Sequence, residues 1–99
     1  MGTEILEEVF SVVQDRKENP RDDSYVSSLY GEGRERILGK VKEESHELLK
    51  AVDEEGEDEI VHESADVIFH ILVLLSYEGI DLEQVMDELR DRRKPRESE

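Results

Sequence analysis

Glu43-Glu44-Ser45-His46-Glu47 and Glu63-Ser64-Ala65-Asp66 hold the residues of this 99-residue chain best suited to chemistry. On a helix, residues three or four apart share a face, so each segment presents a pair of carboxylates to one side. Acids gathered beside an apolar stripe repel one another and lose hydration, a penalty of several kcal/mol per ion unless a cation lies among them. Hard oxygen donors suit Mg²⁺ or Mn²⁺, and Mg²⁺ keeps waters and substrate phosphates in preference to an all-protein cage. Glu44, Glu47, Glu63 and Asp66 are therefore expected to hold Mg²⁺, or Mn²⁺ in its place, against a polyphosphate ligand.

Histidines compete for the same acids. Glu43-x-x-His46 and Glu59-x-x-His62 both have the ExxH spacing of di-iron bundles. His46, however, falls about 140° from Val41 on a helical wheel, among Lys42, Lys50 and Asp53, and so points away from the acids. His70 stands alone in the apolar run Val67 to Leu75. It is either a satisfied core histidine or an outer partner of Asp66.

The two acidic segments must be brought level by the elements that carry them. Arg34 to about Glu54 has an apolar stripe at helical spacing, and about Asp58 to Glu78 forms a second long helix beyond Gly56. With Val41 at zero and about 100° per residue, Ile37, Leu48 and Val52 lie within about 40° and define the buried stripe. Glu44 then sits on its shoulder at about −60°, and Lys40 and Glu47 follow at about −100° and −120°. On the next helix, His70, Glu59 and Asp66 lie within about 60° of Glu63. Measured from the turn, Glu47 and Glu44 stand at about 13 and 18 Å, and Glu63 and Asp66 at about 10 and 15 Å. The pairs face each other.

Shorter helices complete the chain. One spans Thr3 to about Lys17 with Thr3 as its cap, and the turn-forming residues around Pro20 break it. Another starts at Ser24, holds Tyr25, Val26 and Leu29, and ends at Gly31 and Gly33. The last is capped by Asp81 and Gln84, with Leu82, Val85, Met86 and Leu89 inward, and residues 94–99 are expected to form a frayed tail. The expected fold is one all-α domain over 1–99, a long antiparallel helical hairpin with shorter flanking helices. So few helices cannot wrap Val67 to Leu75 on every side, which predicts a homodimer.

Composition excludes several classes. A formal charge of −15 argues against nucleic-acid binding, and the absence of cysteine excludes a disulfide framework, a thiolate zinc site and a cysteine nucleophile. The longest nearly apolar run is far short of the ~20 residues that cross a bilayer. Nor does the N-terminus resemble a signal peptide, so a soluble, unprocessed, cytoplasmic protein is expected, without a membrane partner. From Ala51 to Leu89 there are thirteen acids and no Lys or Arg. Such a block between basic flanks suits a cation whose anionic ligand is gripped from the sides.

The EExxE and ExxD segments resemble those of the all-α nucleoside triphosphate pyrophosphohydrolases, the MazG and dimeric dUTPase superfamily. More narrowly, Arg16, Pro20, Ser24-Tyr25-Val26, Leu29, Gly33, Ile37, Lys40-Val41, the EExxE, Ala65-Asp66-Val67-Ile68-Phe69-His70 and Leu72-Val73-Leu74-Leu75 resemble the phosphoribosyl-ATP pyrophosphohydrolases of histidine biosynthesis. Val26, Ser45 and Ser64 depart from residues common there, but they lie beside the ligands and do not replace them. The resemblance implies Mg²⁺-dependent hydrolysis of the nucleotide 1-(5-phosphoribosyl)-ATP to 1-(5-phosphoribosyl)-AMP and pyrophosphate, the second step of that pathway. It implies the single step only, since the cyclohydrolase domain of bifunctional relatives needs metal-binding cysteines. Lys40 and Arg16 are expected to hold phosphates, helped by basic groups near Arg90 and Arg92. Ser24 and Tyr25 either bind a phosphate at the helix N-terminus or are a cap and a core tyrosine. The general base is Glu43 or Glu47. A house-cleaning pyrophosphohydrolase for dUTP or damaged nucleotides and a non-catalytic acidic adaptor are the competing expectations.

Overall fold

Caps and glycines divide the described residues into five helices. The computed structural model describes residues 2–93 and consists of α1 (Glu4–Glu18), α2 (Tyr25–Glu32), α3 (Arg34–Glu54), α4 (Glu57–Tyr77) and α5 (Leu82–Arg92), with no strand among the described residues. The expected tail over 94–99 lies outside the described residues. The Ser24 hydroxyl accepts from the Ser27 amide at 3.1 Å and opens α2. Asp81 and Gln84 form the reciprocal capping box that starts α5. Thr3 precedes α1 but its side chain makes no capping bond, so the expected cap is absent there.

Gly33 has φ +98°, a conformation that costs L side chains energy, and it both ends α2 and begins α3. Gly79, at φ +75°, ends α4, where the Ile80 amide reaches back to the Leu75 carbonyl. The last turn of α4 carries no basic residue. Lys17 of α1 supplies one from across the fold, donating to the Ser76 carbonyl at 2.9 Å.

α3 and α4 are joined by Glu55 and Gly56 alone and pack along each other. So short a link obliges them to run in opposite directions. α1 packs on α4, and α2 bridges α1 and α3. Val13, Val26, Leu29, Ile37 and Val73 form the main core, drawn from α1, α2, α3 and α4. A smaller cluster of Phe10, Leu72 and Leu82 ties down α5.

Three expectations about buried faces are corrected. The apolar pattern centres the α3 stripe on Val41, yet Val52 is 58 % exposed, and the buried residues are Ile37, Glu44 and Ala51. The true line is rotated by about 60°. Neighbouring helices select the face, and the row repeating every seven residues stays on one seam between packed helices. Likewise Leu89 is exposed on α5 and Glu59 on α4, because the packing of each helix leaves that edge to water. By length and composition alone α4 could cross a bilayer. Here it serves as the central helix, with Leu72 and Val73 in the core.

Leu29 is fully buried and seats α2 against three other helices. Leu29→Ala is expected to lose about 2–5 kcal/mol of stability, measured by urea denaturation.

Candidate active site

The rotation of α3 carries Glu44 from the shoulder to the centre of the buried seam, where it is only 8 % exposed. A carboxylate so placed needs a partner. Lys40, one turn earlier, is half-buried, and its Nζ lies 3.3 Å from Glu44 Oε2 and 3.2 Å from Glu43 Oε1. Burial works against the ammonium, but hydrogen bonds to Glu43 and Glu44 and the surrounding charge hold its pKa above the usual lysine value. Glu43 itself is exposed at the rim, whereas Glu47 is half-buried.

Across the seam, α4 brings Glu63 and Asp66 to the same place. Burial, then the charge of Glu44, with smaller contributions from Asp66 and Glu47, raises the Glu63 carboxyl above its ordinary 4.5, while His62 opposes the shift. Glu63 thus feels the charge of the other three acids expected to converge, but neither Glu44 nor Glu47 of α3 belongs to the close group of donor atoms found among the described residues. Glu63 Oε1 is buried without a hydrogen-bond partner. His62, Glu63 and Asp66 each offer a donor atom within 4.8 Å of the others, with His62 Nε2 3.5 Å from Asp66 Oδ2. Hard donors in mutual repulsion, one of them orphaned, fit a divalent cation.

A groove of about 340 Å³ lies beside this cluster, lined by Arg16, Arg21, Asp23, Ser24, Tyr25 and Phe69 among others. Tyr25 links the two regions. Its hydroxyl is 2.8 Å from His70 Nε2, and His70 Nδ1 is 2.8 Å from the Asp66 carbonyl. His70 is therefore both a satisfied core histidine and a partner of Asp66, although it meets the main-chain oxygen and not the carboxylate. Burial raises the Tyr25 phenol pKa against the lowering influence of Lys40 and Arg36. The phenol therefore stays protonated near neutral pH.

Of the residues expected to bind substrate, Arg16, Ser24 and Tyr25 share this groove, and Lys40 stands at its acidic border. Arg16 NH1 is also paired to Asp15 at 2.7 Å. Arg90 and Arg92 are not brought to the site: they pair with Glu83, Asp87 and Glu88 on their own helix. Two residues escaped the sequence patterns. His62 stands one helical turn before Asp66, a spacing obscured by its place in the ExxH pattern. Arg21 lies in the turn before the capped α2, where its charge had no periodicity to mark it.

Residues 6–93 match the family described as phosphoribosyl-ATP pyrophosphohydrolase. The chain is 45% identical over 93 residues to the phosphoribosyl-ATP pyrophosphatase of Methanocella arvoryzae, covering 92% of this chain and 98% of that one. It is 42% identical over 89 residues to the phosphoribosyl-ATP pyrophosphatase of Clostridium acetobutylicum, covering 90% and 81% respectively. A histidine biosynthesis bifunctional protein of Pyrococcus furiosus is 48% identical over 90 residues, which cover 91% of this chain and 42% of that longer protein.

The raised Glu63 pKa sets a pH dependence. A carboxyl whose pKa is higher folded than unfolded contributes stability that is full below about 4.5 and is lost as pH rises through the folded value. In EDTA the melting temperature is expected to fall across that window, and Glu63→Gln to remove part of the fall. Thermal melts from pH 4 to 8 check this. A gap between wild type and Glu63→Gln that does not change with pH would refute the carboxylate cluster.

Proposed function

The chain belongs to the phosphoribosyl-ATP pyrophosphohydrolase family, and from that premise we propose how its residues hydrolyse 1-(5-phosphoribosyl)-ATP between the α and β phosphates to give 1-(5-phosphoribosyl)-AMP and pyrophosphate, the second step of histidine biosynthesis. The observation that supports the site assignment is the buried, unpartnered Glu63 oxygen on a carboxyl that feels the charge of Glu44, Asp66 and Glu47. Glu44, Glu63 and Asp66 are the residues that would hold Mg²⁺, with Glu47 able to join them and Mn²⁺ able to replace it. When bound, the ion neutralises the carboxylates and the substrate phosphates and polarises the anhydride toward attack by water.

Protein groups supply the rest. Glu47 is assigned as the base that takes the proton from the attacking water, in preference to Glu43, which is exposed and engaged by Lys40. Lys40 is poised to exchange Glu44 for a substrate phosphate, since its contact is long and its charge is firmly held. Arg16 and Arg21 line the groove and would hold phosphates by exchanging their present partners, Asp15 and Asp23, and the α2 N-terminus behind Ser24 adds main-chain N–H groups. This division lets a −15 protein accept a polyanion.

A homodimer in the cytoplasm belongs to the same proposal. On α4, Val61 is 64 %, Ile68 47 % and Ile71 39 % exposed within one chain. Ile68 also lines an apolar hollow of about 490 Å³ with Ile5, Leu6, Val9 and Phe69, whose border is His62 and Asp66. A second copy would cover these residues and close the hollow beside the acids.

Mass spectrometry of the products from phosphoribosyl-ATP tests the activity, and common nucleoside triphosphates serve as the competing substrates. Turnover is expected to require Mg²⁺ and to vanish in EDTA. Asp66→Asn and Glu44→Gln are expected to abolish it without loss of fold, and Glu47→Gln to lower kcat about 10²–10⁴-fold. Light scattering is expected to give twice the 11.5 kDa chain mass.

A further inference from the structure

His70 is 4 % exposed, and its ring is held edge-on against Tyr25 and Phe69, with centroids 5.7 and 5.4 Å away and interplanar angles of 83° in both cases. Its two nitrogens face groups of different capability. The Asp66 carbonyl can only accept, so the hydrogen in the 2.8 Å contact sits on Nδ1. In the neutral ring Nε2 is then an acceptor, and the Tyr25 hydroxyl must donate its single proton to it. The tautomer follows from the bonding network.

The consequence lies on the other side of the phenol. Tyr25 is 47 % exposed and lines the groove, but its proton is committed inward. Its oxygen therefore offers the groove lone pairs only. A phosphate oxygen would meet that acceptor with an acceptor, whereas a sugar hydroxyl or a base N–H would meet it with a donor. Anionic groups fall instead to Arg16, Arg21 and Lys40 in the same region, each of which would exchange a neighbouring carboxylate (Asp15, Asp23, or Glu43 and Glu44) for the phosphate.

We propose that His70 is a positioning residue that fixes Tyr25 as a hydrogen-bond acceptor, and that Tyr25 thereby receives a hydroxyl or N–H donor of the nucleotide and not a phosphate. The binding role rests on the nucleotide-hydrolase reading given above, while the His70 tautomer does not. The same link ties the first turn of α2 to the main chain of Asp66, so the nucleotide groove and the carboxylate cluster hold one register.

Two measurements decide it. Long-range ¹⁵N–¹H correlation spectra of the substrate-free protein at pH 8 are expected to show His70 protonated at Nδ1 and bare at Nε2. An Nε2-protonated ring overturns the proposal. In kinetics with phosphoribosyl-ATP, Tyr25→Phe and His70→Leu are each expected to raise KM about tenfold with kcat within about twofold, the scale of one neutral hydrogen bond. The double variant is expected to be no worse than either single one, and His70→Gln, which restores an acceptor, to recover most of the loss. Additive losses, or equal damage from Gln and Leu, overturn the coupling. Tyr25→Phe keeps the ring and the core, so its result stands even where His70→Leu lowers the melting temperature. A wild-type protein that does not turn over phosphoribosyl-ATP overturns the functional reading and Tyr25's binding role together, and the spectrum alone then decides the tautomer.

Discussion

Electrostatic repulsion across the α3–α4 seam is the constraint from which the rest of the site follows. Glu44 occupies the line of Ile37 and Ala51, a place where helix pairs normally put small or apolar side chains. Opposite it stand Glu63 and Asp66, and Glu47 adds a fourth charge. Each acid is expensive in that setting, and together they are more so. Lys40 offsets part of the cost, its single ammonium spanning Glu43 and Glu44, while on α4 His62 stands 3.5 Å from Asp66. A divalent ion would offset the remaining repulsion better than another side chain, because it gathers several oxygens at once.

That demand shapes the substrate side. An acidic pocket would repel a triphosphate at long range, so the positive groups must stand beside the cluster instead of inside it. α2 is the element that arranges this. Leu29 and Val26 anchor it in the core, the Ser24 cap fixes where its N-terminus points, and Tyr25 locks it to α4 through His70. The groove with Arg16 and Arg21 thus sits at a fixed offset from the acids. Mobility between the two would misplace the scissile bond relative to the water it must meet, and a misplacement of about 1 Å can cost about 10²-fold in rate. A buried, doubly hydrogen-bonded histidine is a stiff way to prevent it.

The helices and the side of each helix on which its acids gather were legible in the sequence because both depend on local rules. Caps at Ser24 and Asp81, glycines at 33 and 79, and the three-residue spacings of the acids act within one or two turns. What local rules missed was decided by which helices pack together. The wheel of α3 weighs Val41 and Val52 by hydropathy, while the fold weighs them by what they touch, and Val52 touches too little to be covered. His62 and Arg21 were missed for a related reason: their significance lies in proximity to Asp66 and to the α2 groove, not in a pattern of their own. Arg90 and Arg92 failed in the opposite direction. Their charge looked free in the sequence, but Glu83, Asp87 and Glu88 lie within a turn or two on α5 and take it up.

α3 and α4 also carry exposed apolar residues. Leu49 and Val52 on one helix and Val61, Ile68 and Ile71 on the other are left open by the same packing that buries Glu44. Had α3 turned its apolar stripe fully inward, Val52 would be covered and Glu44 would move about 60° to the shoulder of the seam, nearer to solvent. A second chain offers the fold a way to keep both. Covering this surface restores the lost burial, and it lowers the dielectric around the neighbouring carboxylates, which strengthens their hold on a cation and their penalty without one. In the proposed homodimer, association and metal binding would be coupled through a single geometric choice, the rotation of α3 by about 60°.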